Sequence, residues 1–355
     1  FSSQPNQKMP EKIENVSYIT EFDSKYQKAM EMTYTLDATP RVAEFNQKMG
    51  SVAILLYHTQ LSKFLLVRQF RPAVFTSLVA NLPENHDKEY SEIQWSDYSP
   101  ELGYTVEMCA GLIDKEGLTP EEIASEEVAE ECGYNVEPSR LQSISTFVVG
   151  AHQSGNAQYL YYAEIDEQMR IGDGGGNVHE GEVISKVYWT VEEAKNVACP
   201  DGGHCDVKGP PGVLFAFQWW FFGRKNEKSL PPPTSYTWQP RNVRTADGIK
   251  FNTNFDRKKY GYNPKRMKFT LNSITRTWDM SLCPDTATCI LVDSVKRELI
   301  LLQTLRIQVL VGKSRSLEEN QGKRIFDIDF GKSDPKMAYT EQDVSKLWFH
   351  FSSQC

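Results

Sequence analysis

The sequence lacks any hydrophobic run long enough to cross a bilayer. Its longest near-apolar stretch extends from Gly212 to Phe222, whereas a membrane helix needs about 20 apolar residues. No basic segment followed by an apolar stretch opens the sequence, so we expect no signal peptide. Positive charge is also in deficit, with 39 Lys and Arg against 47 Asp and Glu and a net charge of −8. We therefore expect no membrane partner and no broad binding to the phosphate backbone of nucleic acid.

Cysteine is scarce, because only seven of the 355 residues are Cys. Their number is odd and their spacing fits no disulfide scaffold, so reduced thiols in a cytoplasmic protein are expected. Cys199 and Cys205 flank His204, but two Cys and one His do not complete a structural zinc site. The composition is otherwise that of an ordinary globular protein, with 40% hydrophobic and 24% charged residues.

An internal repeat runs through the chain at a constant offset of 235 residues, the distance from Tyr34 to Phe269. The matching patches are residues 34–37 with 269–272, 64–67 with 299–302 and 100–105 with 335–340. Upstream, Phe22-Asp23 matches Phe255-Asp256 with a slip of two residues. A constant register across separate patches is not expected of chance similarity, so we interpret it as a duplication.

The second copy is shorter than the first. Its match ends near Thr340, whereas the first copy continues to about Arg224, and the Pro-rich segment Leu230 to Pro233 separates the two. We predict three parts: a small β amino-terminal segment at 1–50, the main domain at 51–229, and a truncated, degenerate second repeat at 230–355. Two fates of that repeat stay open. It docks on the first unit, or it is a gene fragment whose half-sheet exposes an edge and folds poorly.

Strand and helix patterns interleave in the complete unit. Strands are predicted over residues 28–48, 52–57, 64–70, 104–109, 141–148, 157–165 and 183–190, and helices over 121–132, 191–197 and 211–222. Residues 76–100 are polar and contain two prolines, so they are predicted to form a loop. This alternation indicates an α/β fold around a mixed sheet.

The clearest helix carries a cluster of acids. Thr119, Pro120 and Glu122 form a helix-start signal, and Gly133 supplies the stop. Three glutamates that share one face of this helix are Glu127, Glu130 and Glu131. Carboxylates crowded on one arc repel each other, and Mg²⁺ commonly bridges carboxylates and substrate phosphates. A metal–pyrophosphate site is one interpretation, and a solvated acidic face is the other.

The segment from Glu126 to Tyr134 resembles the core of the Nudix box, which reads Arg-Glu-apolar-X-Glu-Glu-X-Gly-apolar. Glu126 stands where the box has Arg, and the loop after Gly111 is about one residue longer than the pattern. The resemblance extends to Val67–Val74 and Glu107–Leu112, and it covers about residues 13 to 224. In these segments the chain is similar to the Nudix hydrolases of UDP-sugars and ADP-ribose.

This resemblance implies a Nudix α/β/α sandwich that uses Mg²⁺, or Mn²⁺ in its place. The implied metal ligands are Glu127, which also counts as catalytic, Glu130, Glu131 and the carbonyl of Ala110. Either Glu180 or Glu182 is implied to activate water, on a loop that the glycines at 174–176 would make mobile. Substrate contacts are implied for Arg68 and Arg71 with phosphates, for Glu107 with a ribose or base, and for Gly111 and His152 in the pocket.

The implied reaction is hydrolysis of the pyrophosphate bond of a nucleoside diphosphate sugar. UDP-glucose would give UMP and glucose 1-phosphate, and ADP-ribose would give AMP and ribose 5-phosphate. The alternative is a catalytically weakened enzyme that serves as a nucleotide-sugar binder or scaffold. The replacement of the box Arg by Glu126 favours this alternative. In relatives the amino-terminal segment packs across a homodimer, so a homodimer or an intrachain pseudo-dimer is implied here.

Overall fold

The computed structural model describes the main part of the chain. Its described residues are 12–20, 22–24, 26–36, 39–150, 154–177, 182–199, 207–224, 246–252, 263–282, 291–293, 298–300, 308, 311–312, 318–320 and 328. Two predicted site residues, His152 and Glu180, lie outside this set, as do His204 and Cys205. Among the described residues, no helix is long and apolar enough to cross a membrane.

Strands and helices alternate along the first 224 residues. The strands are β1 Ile13–Ile19, β2 Lys28–Leu36, β3 Thr39–Gln47, β4 Ser51–His58, β5 Lys63–Phe70, β6 Tyr104–Glu107, β7 Cys109–Leu112, β8 Gln142–Val149, β9 Asn156–Ile165 and β10 Ile184–Thr190. The helices are α1 Pro72–Ala80, α2 Pro120–Glu127, α3 Val191–Ala198 and α4 Pro211–Gln218. Farther along are β11 Ala246–Asn252, β12 Asn263–Leu271, β13 Ile274–Leu282, β14 Leu291–Asp293 and β15 Glu298–Ile300.

Seven strands form the central sheet. Its main order is β10-β5-β4-β9-β8, with β6 beside β5 and β7 beside β4. The β4–β9 pair is parallel and the other pairs are antiparallel. The predicted mixed sheet is therefore present. Within residues 104–112, β6 pairs with β5 and β7 pairs with β4. This segment therefore crosses from one strand to the other at the place where β4 and β5 no longer pair.

Helices cover both faces of this sheet. On one face α2 packs its buried Ile123 and Ala124 against strand residues such as Val52. On the other face α3 and α4 pack against Leu55 and Phe64, with Phe217 fully buried. Burial on both faces explains why β4 and β5 consist of nearly continuous apolar residues rather than alternating ones.

The prediction of a loop over residues 76–100 was wrong at its start. Helix α1 covers Pro72–Ala80, because Pro72 suits a first helical turn and Phe75 and Val79 lie four residues apart on one buried face. Farther on, Trp95 begins a short 3₁₀ turn and is 5% exposed. The segment therefore carries a third apolar cluster.

The amino-terminal strands pair with strands from the far end of the chain. One sheet has the order β1-β12-β13, and another has the order β11-β2-β3. At the offset of 235, β12 corresponds to β2 and β13 to β3, while β11 corresponds to β1 at the slipped offset of 233. Each sheet thus combines the first strand of one predicted copy with the second and third strands of the other predicted copy.

The two exchanged pairings have the same register. Ile13 pairs with Leu271, and the corresponding residues Ala246 and Leu36 pair with each other. Both pairs shift register at the same point, between Glu14 and Ser17 in one and between Asp247 and Lys250 in the other. This equivalence is the pattern of a two-fold exchange of identical elements.

The β12–β13 hairpin contributes to the third apolar cluster. Met267 and Phe269 are 0% and 1% exposed, and they join Phe75 and Trp95 of the first copy. The rings of Phe70 and Phe269 lie 5.4 Å apart. Apolar burial of this kind is the main stabilising contribution to packing between segments, so the hairpin is packed against the first copy.

Candidate active site

The acidic helix has the ends that the sequence predicts. Thr119 and Glu122 form a capping box, and Pro120 lies in the first turn. After Glu127 the helix widens into a π turn, Val128–Cys132, and it ends at Gly133 with a φ of 78°. A π turn inside a helix is often found at a functional site. Here it carries two of the three predicted metal-ligand glutamates.

Glu131 is the most enclosed of these acids. Its side chain is 2% exposed, and its Oε2 accepts a hydrogen bond from the Ala110 N–H at 3.0 Å. Burial raises the pKa of Glu131 to about 8, and the charges of Glu127 and Glu182 add to the rise. Glu131 is therefore hydrogen-bonded to Ala110 and close enough to Glu182 for their charges to interact.

Glu127 is half-buried and lies against the predicted pocket residue Gly111. A Cβ at Gly111 would overlap the Glu127 carboxylate, so the side chain occupies the space that the glycine leaves. Burial raises the pKa of Glu127 to about 7, with further contributions from the charges of Glu130 and Glu182. Glu130 is exposed at the same turn.

The acids have the chemistry of a divalent-cation site without forming a closed one. Within the described part of the chain, no three His, Cys, Asp or Glu side chains converge closely enough to hold a metal ion. Carboxylate oxygens are nevertheless the ligands that Mg²⁺ prefers. Burial is the largest cause of the raised pKa values of Glu127 and Glu131, neighbouring carboxylates add to them, and a bound divalent cation would oppose both effects by favouring the charged forms. The donor set therefore fits such an ion.

Arg71 and Glu107 form a bidentate pair beside the acids. Arg71 Nε and Nη2 donate to the two carboxylate oxygens of Glu107 at 2.8 and 2.7 Å. Burial alone would raise the pKa of Glu107, but the Arg71 bonds and a 2.5 Å bond from the Thr105 hydroxyl hold it below its ordinary value. Burial would lower the pKa of Arg71, and Glu107 holds it above its usual value.

The charge of Arg71 also reaches the acid cluster. Glu131 and Glu182 both contribute to the raised pKa of this guanidinium. A cation fixed beside a set of carboxylates is what a metal-bound pyrophosphate needs, since the phosphate oxygens can then contact positive charge on both sides. Glu107, which the resemblance assigns to a ribose or base, is hydrogen-bonded to Arg71 in the structure, and its substrate contact stays a prediction.

Arg68 lies on β5, three residues before Arg71, which follows the end of that strand and precedes α1. It pairs across the strands with Val106, its Nη2 donates to Glu101 at 2.6 Å, and its guanidinium lies 3.6 Å from the ring centre of Tyr104. The Glu101 carboxylate is largely exposed, so a phosphate could compete with it at little cost. The predicted phosphate contact of Arg68 stays a prediction.

The glycine-rich loop is bound to the end of the acidic helix. The N–H groups of Gly175 and Gly176 donate to the carbonyls of Glu131 and Glu130 at 2.9 and 3.3 Å. A Cβ at Gly174, whose φ is 63°, would overlap the carbonyl of Glu131. The sequence interpretation gave these glycines mobility. The structure gives them a packing role, because only glycine permits this close approach.

The structure brings most of the predicted site residues together. Those in one neighbourhood are Arg71, Glu107, Ala110, Gly111, Glu127, Glu131 and Glu182. Glu130 lies exposed at the same turn and Arg68 lies farther along β5, while Glu180 and His152 are outside the described residues. Sequence reasoning missed Thr105 and Lys115. Lys115 binds Glu126 at 2.5 Å, and its position in a loop gave no signal of that pair.

Comparisons with known proteins bear on the family of the chain. No model of a known protein family matches the chain. The chain is 31% identical to uridine diphosphate glucose pyrophosphatase NUDT14 of Mus musculus over 216 residues, which are 59% of this chain and 95% of that protein. It is 28% identical to the GDP-mannose pyrophosphatase of Cronobacter sakazakii over 135 residues, 38% of this chain and 56% of that protein.

A solved structure described as an ADP compounds hydrolase aligns with a TM-score of 0.40 and 17% identity, covering 61% of this chain and 96% of that one. The family assignment rests on the sequence relatives and on the acidic helix. The chain belongs to the Nudix hydrolase family. Within that family, the relative matched over nearly its whole length is a uridine diphosphate glucose pyrophosphatase.

Proposed function

We propose that this chain hydrolyses the pyrophosphate bond of a nucleoside diphosphate sugar, with UDP-glucose giving UMP and glucose 1-phosphate. The observation that carries the proposal is the position of Arg71. It is fixed by two hydrogen bonds to Glu107, and the charges of Glu131 and Glu182 contribute to its raised pKa. The mouse relative, whose name specifies uridine diphosphate glucose, directs the choice of substrate.

Mg²⁺, or Mn²⁺ in its place, would be held by Glu127, Glu130, Glu131 and the Ala110 carbonyl. The ion would supply charge neutralisation to the substrate phosphates. The chain prepares this set by anchoring Glu131 on the Ala110 N–H and by leaving room for the Glu127 carboxylate at Gly111. Glu127 and Glu131 would then ionise readily, because a nearby cation favours the charged form.

Arg71 would donate to a phosphate oxygen with the N–H groups that Glu107 does not use. Since Glu107 already fixes the guanidinium plane, little side-chain freedom is lost when the substrate binds. Glu182, whose charge reaches Arg71, Glu127 and Glu131, would take the proton of the attacking water. Glu180 of the same loop is the other candidate for that base.

A catalytically weak binding protein is the alternative. The position of the box arginine is Glu126, which is exposed and bound to Lys115, so no arginine from this position supports the neighbouring glutamates. Such a protein would bind the nucleotide sugar through Arg71 and the metal without turning it over.

A release assay distinguishes the two functions. The full chain is incubated with UDP-glucose, ADP-ribose or GDP-mannose, each with Mg²⁺ and with Mg²⁺ plus a chelator, and nucleoside monophosphate is measured. We expect UMP release from UDP-glucose that the chelator abolishes. Binding of UDP-glucose without release of UMP would establish the alternative, and neither binding nor release would overturn both.

We also propose that residues 230–355 serve as an intrachain partner, which makes the molecule a pseudo-dimer. Support comes from the exchanged pairs β1–β12 and β11–β2 with their equivalent registers. A homodimer would need the same strands for a second chain. Light scattering in solution should therefore give a mass near the 40.6 kDa of one chain, and twice that mass would favour the homodimer.

A further inference from the structure

Trp278 brings the second repeat to the active site. It lies on β13, pairs across the hairpin with the fully buried Met267, and is itself half-buried in the third apolar cluster. The Arg71 guanidinium lies 5.9 Å from the centre of the Trp278 ring. The same guanidinium holds Glu107, and the charges of Glu131 and Glu182 help to raise its pKa. One aromatic ring of the second repeat thus contacts the cation at the centre of the candidate site.

The contact is not isolated, because the hairpin is packed on the junction that carries Arg71. The ring of Phe70, the preceding residue, lies 5.4 Å from that of Phe269. Thr76, in the helix that follows, donates to the Met267 sulfur at 3.7 Å. The backbone of Arg71 is fixed as well, since its N–H donates to the Gly103 carbonyl at 2.8 Å. The side chain of Arg71 is held by its two hydrogen bonds to Glu107 and lies near the Trp278 ring.

We propose that Trp278 is a positioning residue for the reaction, acting through Arg71. The guanidinium would be held between the indole face and the Glu107 carboxylate, with its remaining donors directed at the substrate. An aromatic face attracts a guanidinium, and a ring that excludes water strengthens the neighbouring ion pair. The role of Arg71 in binding phosphate rests on the proposed function, whereas its restraint by Trp278 does not.

The kinetic test replaces the ring in the full chain. Trp278→Leu removes the aromatic face and keeps an apolar side chain, and Trp278→Phe keeps a ring. Thr277→Ala is the matched control, because Thr277 is adjacent, exposed and on the opposite face of β13. We expect Trp278→Leu to raise the KM for UDP-glucose about three- to tenfold with kcat nearly unchanged. Trp278→Phe should lie between the wild type and the leucine variant.

A second measurement does not depend on activity. The NMR signal of the Arg71 Nε–H, identified by its loss in Arg71→Lys, should shift and broaden in Trp278→Leu and stay in place in Thr277→Ala. An unchanged KM together with an unchanged Arg71 signal in Trp278→Leu would overturn the inference. If the leucine variant does not fold, an unchanged Arg71 signal in Trp278→Phe does the same. If the wild-type chain hydrolyses none of the nucleotide sugars, the proposed function is wrong. The Arg71 signal still tests the role of Trp278 in that case.

Discussion

Single residues decide whether this chain is an active hydrolase. Repulsion between ionised carboxylates disfavours the charged forms of Glu127, Glu131 and Glu182. The positive charge of Arg71 offsets part of this repulsion. Such strongly perturbed acids in one place are typical of functional sites. The face of the acidic helix was predictable because caps and helix spacing are local signals. The Arg71–Glu107 pair was not, because its members are 36 residues apart and meet only through the β5–β6 pairing.

Neutralising the helix acids should remove most of the activity. Glu130→Gln and Glu131→Gln each keep the side-chain shape and delete a charge that would bind the metal, so we expect a loss on the order of 10² in kcat with the fold intact. The matched control is Glu126→Gln on the same helix, because Glu126 is exposed and its carboxylate accepts a hydrogen bond from Lys115. Near-normal turnover of both variants at saturating substrate would refute the metal assignment.

The raised pKa of Glu131 also predicts how stability changes with pH. The folded chain holds this proton up to about pH 8, whereas the ordinary carboxyl pKa is 4.5. In that interval the folded state binds more protons than the unfolded state, so the contribution of Glu131 to the free energy of unfolding falls as pH rises. Denaturant unfolding with a chelator present should show this fall, and Glu131→Gln should flatten it. An equal slope in both proteins would refute the assigned pKa shift.

The loop acids should affect the chemical step more than binding. Glu182→Gln or Glu180→Gln is expected to lower kcat by about 10² to 10⁴, the usual effect of removing a general base, while KM changes little. Steady-state kinetics on the two single variants identifies which acid accepts the proton. If neither variant slows the reaction, water is activated by another group.

At the level of secondary-structure elements, the site depends on close contacts that glycine residues permit. The glycine-rich loop binds the carbonyls at the end of the acidic helix, and Gly111 in β7 receives the Glu127 carboxylate. Sequence patterns located these elements, but they could not show the approaches, which join residues far apart in the chain. The helix α1 was missed for the same reason. Its buried face contacts residues far apart in the sequence, so the local pattern after Phe75 predicted a loop.

Gly111→Ala should therefore impair catalysis more than folding. Its new Cβ would overlap the Glu127 carboxylate, which can move because it is the far end of a flexible side chain. We expect a clear loss of kcat and a weaker response to Mg²⁺, with thermal unfolding changed little. Gly174→Ala provides the contrast, because its Cβ would meet the backbone of Glu131 at a positive φ. That variant should lose stability as well. Full activity of Gly111→Ala would contradict the placement of Glu127.

For the whole molecule, the question is what the second repeat contributes. The constant offset predicts a duplication, and the sequence left open whether the second copy docks on the first unit or folds poorly with an exposed edge. In the described part of this repeat, apolar side chains of β12 and β13 are covered. Met267, Phe269 and Met280 are buried with Phe75 and Trp95. The exchange of first strands could not be predicted, because strand patterns do not specify which copy a strand joins.

Deleting residues 230–355 tests this arrangement at the scale of the molecule. The deletion removes β12, the partner of β1, and β11, one of the two partners of β2. It also uncovers Phe70, Phe75 and Trp95, so we expect a lower melting temperature. The free strand edges should also promote association between copies. The KM for UDP-glucose should rise because Arg71 loses Trp278. Residues 236–355 alone should show no hydrolase activity, since Gln303 and Gln342 stand at the positions of Arg68 and Glu107 and no acidic helix follows. A truncated chain with unchanged stability, activity and oligomeric state would show that the second repeat is dispensable.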